Sequence, residues 1–277
     1  MKRLLTILAA ALLCISAGAQ KTHEQYRNDY LRQIQAVGYS GLGVDYIISE
    51  WEKACPDSME VRRARFNYWL DKGLVTNLEI HPGKTYLGME PALQLKDSLD
   101  RPVNYFQVNY YEDRAFSKAM ECADMSVARF PWELRYRLDI IGALLVYEHG
   151  SPDMAASEMN KLLDVCTDVG KWTLDGVPLT EEVFDMNIQE LCFRLFDLGT
   201  PAGYEAFRAI SERMSSREPR SADWLANIGA YWQKARQNYK KAEKYYRKAL
   251  KIDPDNFAAA RNLGIIERIQ NTNKKKK

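Results

Sequence analysis

The sequence predicts an all-α fold, an α-α superhelix of stacked helix pairs broken by a small β-hairpin insertion. Three observations carry this expectation. Apolar and small residues recur at helical spacing through most of the 277 residues. Proline falls at a helix join in three places, Pro56, Pro131 and Pro254, and proline disfavours helical geometry in the residue before it. Only residues 75–108 depart from this, with short strand-like runs between turn-forming residues.

The chain opens MKRLLTILAAALLCISAGAQ. Lys2 and Arg3, an apolar run from Leu4 to Ser16, and the small residues Ala17-Gly18-Ala19 have the layout of a secretory signal peptide, residues 1–19, cleaved near Ala19. The run is short of the roughly 20 apolar residues that span a bilayer. Leu13 stands before Cys14 where a lipid-attachment signal needs a small residue. The expectation is an exported protein of the bacterial envelope, periplasmic or secreted, starting at Gln20. No second run is long enough for stable membrane insertion.

Residues 20–73 read as N-terminal helical repeats: Pro56 closes one helix, and Phe66, Trp69 and Gly73 sit on the next. VTNLEI, ALQLK and VNYFQV, separated by HPGK and DSLDRP, make residues 74–110 the β insertion. Residues 111–220 return to degenerate helical repeats. Ala119, Ala123 and Ser126 form a small-residue face at i, i+4 and i+7 before Pro131, and Leu138 to Leu145 supply the next apolar helix. Ser151-Pro152-Asp153 and Thr200-Pro201 each read as an N-cap followed by proline in the first turn. Thr180-Glu181-Glu182 opens a helix whose buried face is Phe184, Ile188, Leu191 and Leu195. TDVGKWTLDGVP, around Trp172 and Gly176, reads as a long irregular connection. The final NTNKKKK leaves residues 273–277 as a disordered basic tail.

The clearest unit lies within residues 221–272: LANIGAYWQKARQNYKKAEKYYRKALKIDPDN. Two antiparallel helices approach closely only where side chains are small. Gly229 on the first and Ala242 and Ala249 on the second supply those gaps, and Ile228, Trp232, Tyr239 and Tyr246 fill around them. This unit resembles the tetratricopeptide repeat, a helix–turn–helix of about 34 residues. The family's first-helix positions fall on Leu225, Ile228, Gly229 and Trp232, and its second-helix positions on Tyr239, Ala242, Tyr246, Ala249 and Pro254. KARQN carries one extra residue in the turn. DNFAAARNLGIIERIQ then restarts the first-helix pattern at Ala260, Leu263 and Gly264, as a half-repeat or capping helix.

The resemblance implies a solenoid whose inner wall, built from first helices, binds a protein or peptide. On that wall it places Arg63 and Asn67 in the early unit, then Asp223, Ala226, Ala230 and Lys234, then Arg261, Ile265 and Arg268. The polar members, Arg63, Asn67, Asp223, Lys234, Arg261 and Arg268, are the candidate binding residues.

Nothing specific points to catalysis, a cofactor or a metal. His23, His81 and His149 are the only histidines, and none is paired at metal-ligand spacing. His23 lies near the mature N-terminus, His81-Pro82-Gly83 reads as a turn, and His149 ends a helix where it suits a capping cation. No hydrolase elbow or phosphate-binding glycine loop occurs, and Glu112-Asp113 and Glu181-Glu182 suit helix starts.

Residues 221–277 hold 14 Lys and Arg against 5 Asp and Glu, which suggests a basic docking end or a solvated helix face. Export argues against a nucleic-acid partner. Cys55, Cys122, Cys166 and Cys192 allow three disulfide connectivities, yet their small and apolar neighbours suit free thiols. The resulting expectation is a non-catalytic scaffold or adaptor that binds a protein or peptide. The alternative is a glycan-binding helical module using Tyr110, Tyr111 and the Trp172 loop.

Overall fold

The computed structural model describes residues 21–275, with side chains described to residue 272. The expected signal peptide, residues 1–19, and the last two lysines lie outside the described residues. The chain is mostly helical with a small antiparallel sheet, and it divides into two compact units. One unit takes the described chain up to Leu74 together with Tyr111–Pro131, and the other takes Val75–Tyr110 and Trp132 onward. The insertion thus groups with the helices beyond Pro131, while residues 111–131 return to the first unit.

The first unit contains α1 (His23–Val37), α2 (Val44–Ala54), α3 (Met59–Gly73) and α4 (Asp113–Arg129). Thr22 caps α1 in a capping box with Gln25, and Ser58 caps α3 through the Val61 N–H. Pro56 and Pro131 each lie two residues beyond the end of a helix, α2 and α4. The core gathers Tyr30, Val44, Ile48, Trp51, Val61, Ala64 and Tyr68. Arg65 ties α2 to α3: it forks onto both Glu52 oxygens at 2.9 and 2.7 Å and reaches Ser49 at 2.9 Å and Asp45. The small face of α4 is buried as expected, with Ala119, Ala123 and Ser126 all at most 2% exposed. His23 is not a loose terminal residue: its Nε2 lies 2.7 Å from Ser58 Oγ and its ring meets Trp51 edge-on.

The three strand-like runs of the insertion fall on β1 (Leu74–Ile80), β2 (Leu93–Lys96) and β3 (Pro102–Tyr111), a sheet ordered β1-β3-β2 and not a simple hairpin. β2 and β3 are antiparallel, from Leu93 opposite Tyr105 to Lys96 opposite Pro102. Alternation along β3 buries Phe106 and Val108, while Leu78, Ile80, Leu93 and Leu95 on the edge strands stay 45–61% exposed.

The remaining helices are α5 (Leu134–Tyr147), α6 (Asp153–Val165), α7 (Glu181–Asp197), α8 (Pro201–Arg217), α9 (Ala222–Lys234), α10 (Tyr239–Ile252) and α11 (Phe257–Lys275). Each packs on its chain neighbour in the pairs α5/α6, α7/α8 and α9/α10, and α10 packs on α11. Alternate helices also touch: α5 with α7, α6 with α8, and α9 with α11. Phe184, Ile188, Leu191 and Leu195 of α7 are at most 5% exposed, each worth about 1.5–3 kcal/mol as a buried side chain. Thr200 caps α8 through Gly203 N at 3.1 Å, with Pro201 in the first turn.

Ser151 does not cap α6. Pro152 occupies that position, and the Glu148 carboxylate accepts from the N–H groups of Met154 and Ala155 at 2.6 and 2.8 Å. A carboxylate reaching back from the preceding helix replaces a local hydroxyl. Nor is the Trp172 loop irregular: a 3-10 turn, Val169–Lys171, leads into β4 (Thr173–Leu174) and β5 (Val177–Pro178), joined by Asp175-Gly176. Both turn residues have positive φ, 53° and 77°, the type I′ requirement. Glu133, only 3% exposed, holds this hairpin by accepting from Thr173 Oγ1 and from Asp175 N and Gly176 N at 2.8–3.0 Å. All four cysteines of the described chain are free thiols.

Between α9 and α10 the Gly229 gap is filled by Tyr246: a Cβ on Gly229 would meet Tyr246 Cε1 at 2.6 Å. The extra turn residue is absorbed at Gln237, whose φ is 49°, and Asn238 caps α10 through Lys241 N. Gly264, 35 residues after Gly229, has nothing within 4 Å of its Cβ position. The two glycines make a paired test. Gly229→Ala should cost about 1–3 kcal/mol, since the ring has no room to retreat. Gly264→Ala should instead stabilise by about 0.5–1 kcal/mol through helix propensity. Denaturant unfolding of both variants checks the contrast.

Candidate functional site

A groove of about 750 Å³ in the second unit has walls that come chiefly from α7, α9 and α11. Ala226 and Ala230, one turn apart on α9, leave the space open between larger neighbours. Asn227 and Lys234 extend the α9 wall, and Ala258, Asn262 and Ile269 form the α11 wall. Opposite, α7 presents Glu190, Phe193, Arg194 and Asp197.

Two of the groove's amides are tied in place. Asn227 and Gln189 exchange two hydrogen bonds of 3.0 Å, which joins α9 to α7. Gln233 Oε1 accepts from the Tyr246 hydroxyl at 2.6 Å, so its amide nitrogen remains as donor. Charge is divided across the groove. Lys234 has no ion-pair partner among the described residues, and the carboxyls sit on α7. Burial, with a further push from Glu190, raises the Asp197 carboxyl above its ordinary range. Arg194 is anchored by donating to Gly142 O at 3.2 Å.

Of the nine residues expected on a binding wall, Ala226, Ala230 and Lys234 line this groove, and Lys234 is the one among the six polar candidates that does. Asp223 instead accepts from Asn256 Nδ2 at 2.7 Å, fastening α9 to the start of α11. Arg261 is exposed, and Arg268 donates to its own helix at Gly264 O. On α11 the groove takes Ala258, Asn262 and Ile269; Asn262 and Ile269 each stand one position after Arg261 and Arg268, which at 100° per residue is a different side of the helix. Arg63 and Asn67 are half-buried on α3 of the other unit. The α7 contributors had a readable signal: Glu190, Phe193, Arg194 and Asp197 repeat at helical spacing beside the buried face.

A second polar cluster lies on the inner face of the sheet. Glu79 accepts from the Tyr110 hydroxyl at 2.5 Å and pairs with His81 Nε2 at 2.8 Å. His81 stacks on Tyr86 with ring centres 3.4 Å apart, and Tyr110 packs on His149 at 4.3 Å. Donating to Glu79 pushes the Tyr110 hydroxyl up to about 12, so it is held protonated. Burial lowers the His149 pKa, and its backbone is left-handed at φ 56°. His149 therefore packs on Tyr110, and burial works against the capping cation that the sequence suggests. Among the described residues no group of three or more His, Cys, Asp and Glu could hold a metal ion. The aromatics expected to face a glycan are engaged elsewhere: Trp172 is 1% exposed, and Tyr111 stacks on Phe116.

Set beside known proteins, the chain matches no family model. No curated protein matches it either. No helix among the described residues is long and apolar enough to cross a membrane.

One titratable pair bears on stability. Asp185 of α7 and Glu218, just after α8, interact through their carboxyls; Asp185 Oδ1 and Glu218 Oε1 are buried without a hydrogen-bond partner among the described residues, the latter 3.9 Å from Arg217 Nε. The pair is satisfied when Asp185 keeps its proton and donates to Glu218. Burial, then Glu218, then Glu181 push the Asp185 carboxyl up to about 8, against the opposing pull of Arg217. A carboxyl raised in the folded state favours folding when protonated, so its contribution is complete below about pH 4 and lost as pH climbs towards 8. Asp185→Asn keeps the donor and removes the charge. It should flatten the pH dependence of Tm between pH 5 and 8.5 and raise Tm by a few degrees at pH 8.5, as thermal melts across that range will show.

Proposed function

We propose that this protein is an exported, non-catalytic helical-repeat protein of the tetratricopeptide type that binds a peptide segment of a partner protein. The groove of about 750 Å³ carries the reading. Its walls come from alternate helices α7, α9 and α11, with α8 and α10 packed between them, an arrangement that suits stacked helix pairs. Its lining suits a peptide. Fixed amides at Asn227 and Gln233 can hydrogen-bond a main chain, Phe193 and Ile269 can take apolar side chains, and Lys234 and the α7 carboxyls can meet charges of either sign. The residues Ala222, Ala226, Ala242, Tyr246, Ala249, Ala259 and Leu263 share one cluster, consistent with a repeat followed by a capping helix.

The reading is tested at Ala230, which lines the groove without supporting the core cluster. A photo-crosslinking residue at position 230 should capture a discrete partner from envelope extracts. Ala230→Arg should fill the groove, and Lys234→Glu should reverse its free charge. Each should weaken binding of the captured partner at least about tenfold, a 1.4 kcal/mol effect, while Tm stays within about 2 °C. Capture that is indifferent to both substitutions would remove the groove from the function.

A further inference from the structure

In the first unit α3 and α4 enclose a pocket of about 300 Å³ lined by Trp69, Lys72, Glu112, Arg114, Ala115 and Lys118. Three of these side chains are cations and one is a carboxylate. The Lys118 ammonium lies 4.0 Å from the centre of the Trp69 ring, and that of Lys72 lies 5.3 Å from the same indole. Two ammonium groups on one ring attract its π electrons but repel each other. Neither Arg114 nor Lys118 has an ion-pair or hydrogen-bond partner among the described residues, and Lys72 donates only to the Tyr68 hydroxyl at 2.9 Å. Glu112, at the N-cap of α4, makes no side-chain capping bond. The pocket therefore holds uncompensated positive charge, a free acceptor and an aromatic ring.

We propose that this pocket binds a sugar-sized ring bearing a phosphate or sulfate ester. Lys72, Lys118 and Arg114 take the ester oxygens, where charge-assisted hydrogen bonds relieve their mutual repulsion. Glu112 accepts from a ring hydroxyl, and the edge of Trp69 packs against the ring's C–H face. The volume of about 300 Å³ admits one such ring. A bare sugar leaves the cations unpaired, and a bare anion leaves Glu112 facing negative charge. Both halves of the ligand are needed.

The test is calorimetric titration of the purified protein with glucose 6-phosphate, glucose 6-sulfate, inorganic phosphate and glucose. At least one of the two esters should bind at about millimolar Kd or tighter, and glucose and inorganic phosphate at least about tenfold more weakly. Lys72→Gln with Lys118→Gln should abolish the ester signal, and Glu112→Gln should weaken the ester but not inorganic phosphate. A control pair on the exposed face of α10, Lys240→Gln with Lys244→Gln, should leave binding unchanged. An unliganded Tm for each variant within about 2 °C of the parent shows that the fold is intact. Inorganic phosphate binding as tightly as both esters would overturn the sugar assignment. No ester binding, or equal loss in the α10 control pair, would overturn the site.

Discussion

The second unit depends on how closely α9 can approach α10, and that distance is set where the Tyr246 ring lies against the bare backbone of Gly229. Tyr246 is fully buried there, and Ala242 and Ala249 above and below it are equally inaccessible. Larger residues at these positions would wedge the pair apart. Ala259 and Ile266 of α11 join the same cluster, so the position of the last helix follows from the pair before it. The groove opens where it does because α11 is seated by this packing and by the Asp223–Asn256 bond at its start.

Buried charge plays a different part from buried hydrocarbon. Arg65 and Glu133 are both largely withdrawn from water, and each is surrounded by partners that match its geometry. Glu133 collects three donors from a hairpin too short to hold itself together, and Arg65 collects acceptors from three side chains of α2. Two-residue strands bury little apolar area, so the hairpin is ordered by this carboxylate together with the Arg135 fork on Asp175 and the Thr173 N–H bond to Trp132 O. The Asp185–Glu218 pair is the exception, since two acids oppose each other and only a retained proton reconciles them.

Much of the helical architecture was legible because it rests on local rules. The small faces at Ala119–Ser126 and Ala242–Ala249, the proline stops and the Thr180 and Thr200 caps are set by neighbours within one or two turns. What escaped was non-local or depended on rotation. Glu148 capping α6 and Glu133 clamping Asp175-Gly176 join groups that spacing cannot bring together. The Asp-Gly pair was itself a hairpin signal, masked by strands of two residues. On α11 the expected wall fell one residue from the groove, because a single step turns a side chain through about 100°. On α7 the groove stripe Glu190, Phe193, Arg194 and Asp197 runs beside the more apolar buried stripe, whose periodicity is the stronger signal in the sequence.

The same contact that sets the helix spacing also prepares the groove. Tyr246 can reach Gln233 only because its ring passes over Gly229, and its hydroxyl then fixes which end of that amide faces the cavity. Asn227 is oriented by Gln189 across the gap between α9 and α7. A ligand meeting these amides does not have to order them, so less of its interaction energy is lost to side-chain entropy. Mixed polarity would otherwise be a poor basis for affinity, since each hydrogen bond only replaces one to water. Orientation by buried partners makes amides useful here, and glycine at position 229 is the condition on which that orientation depends.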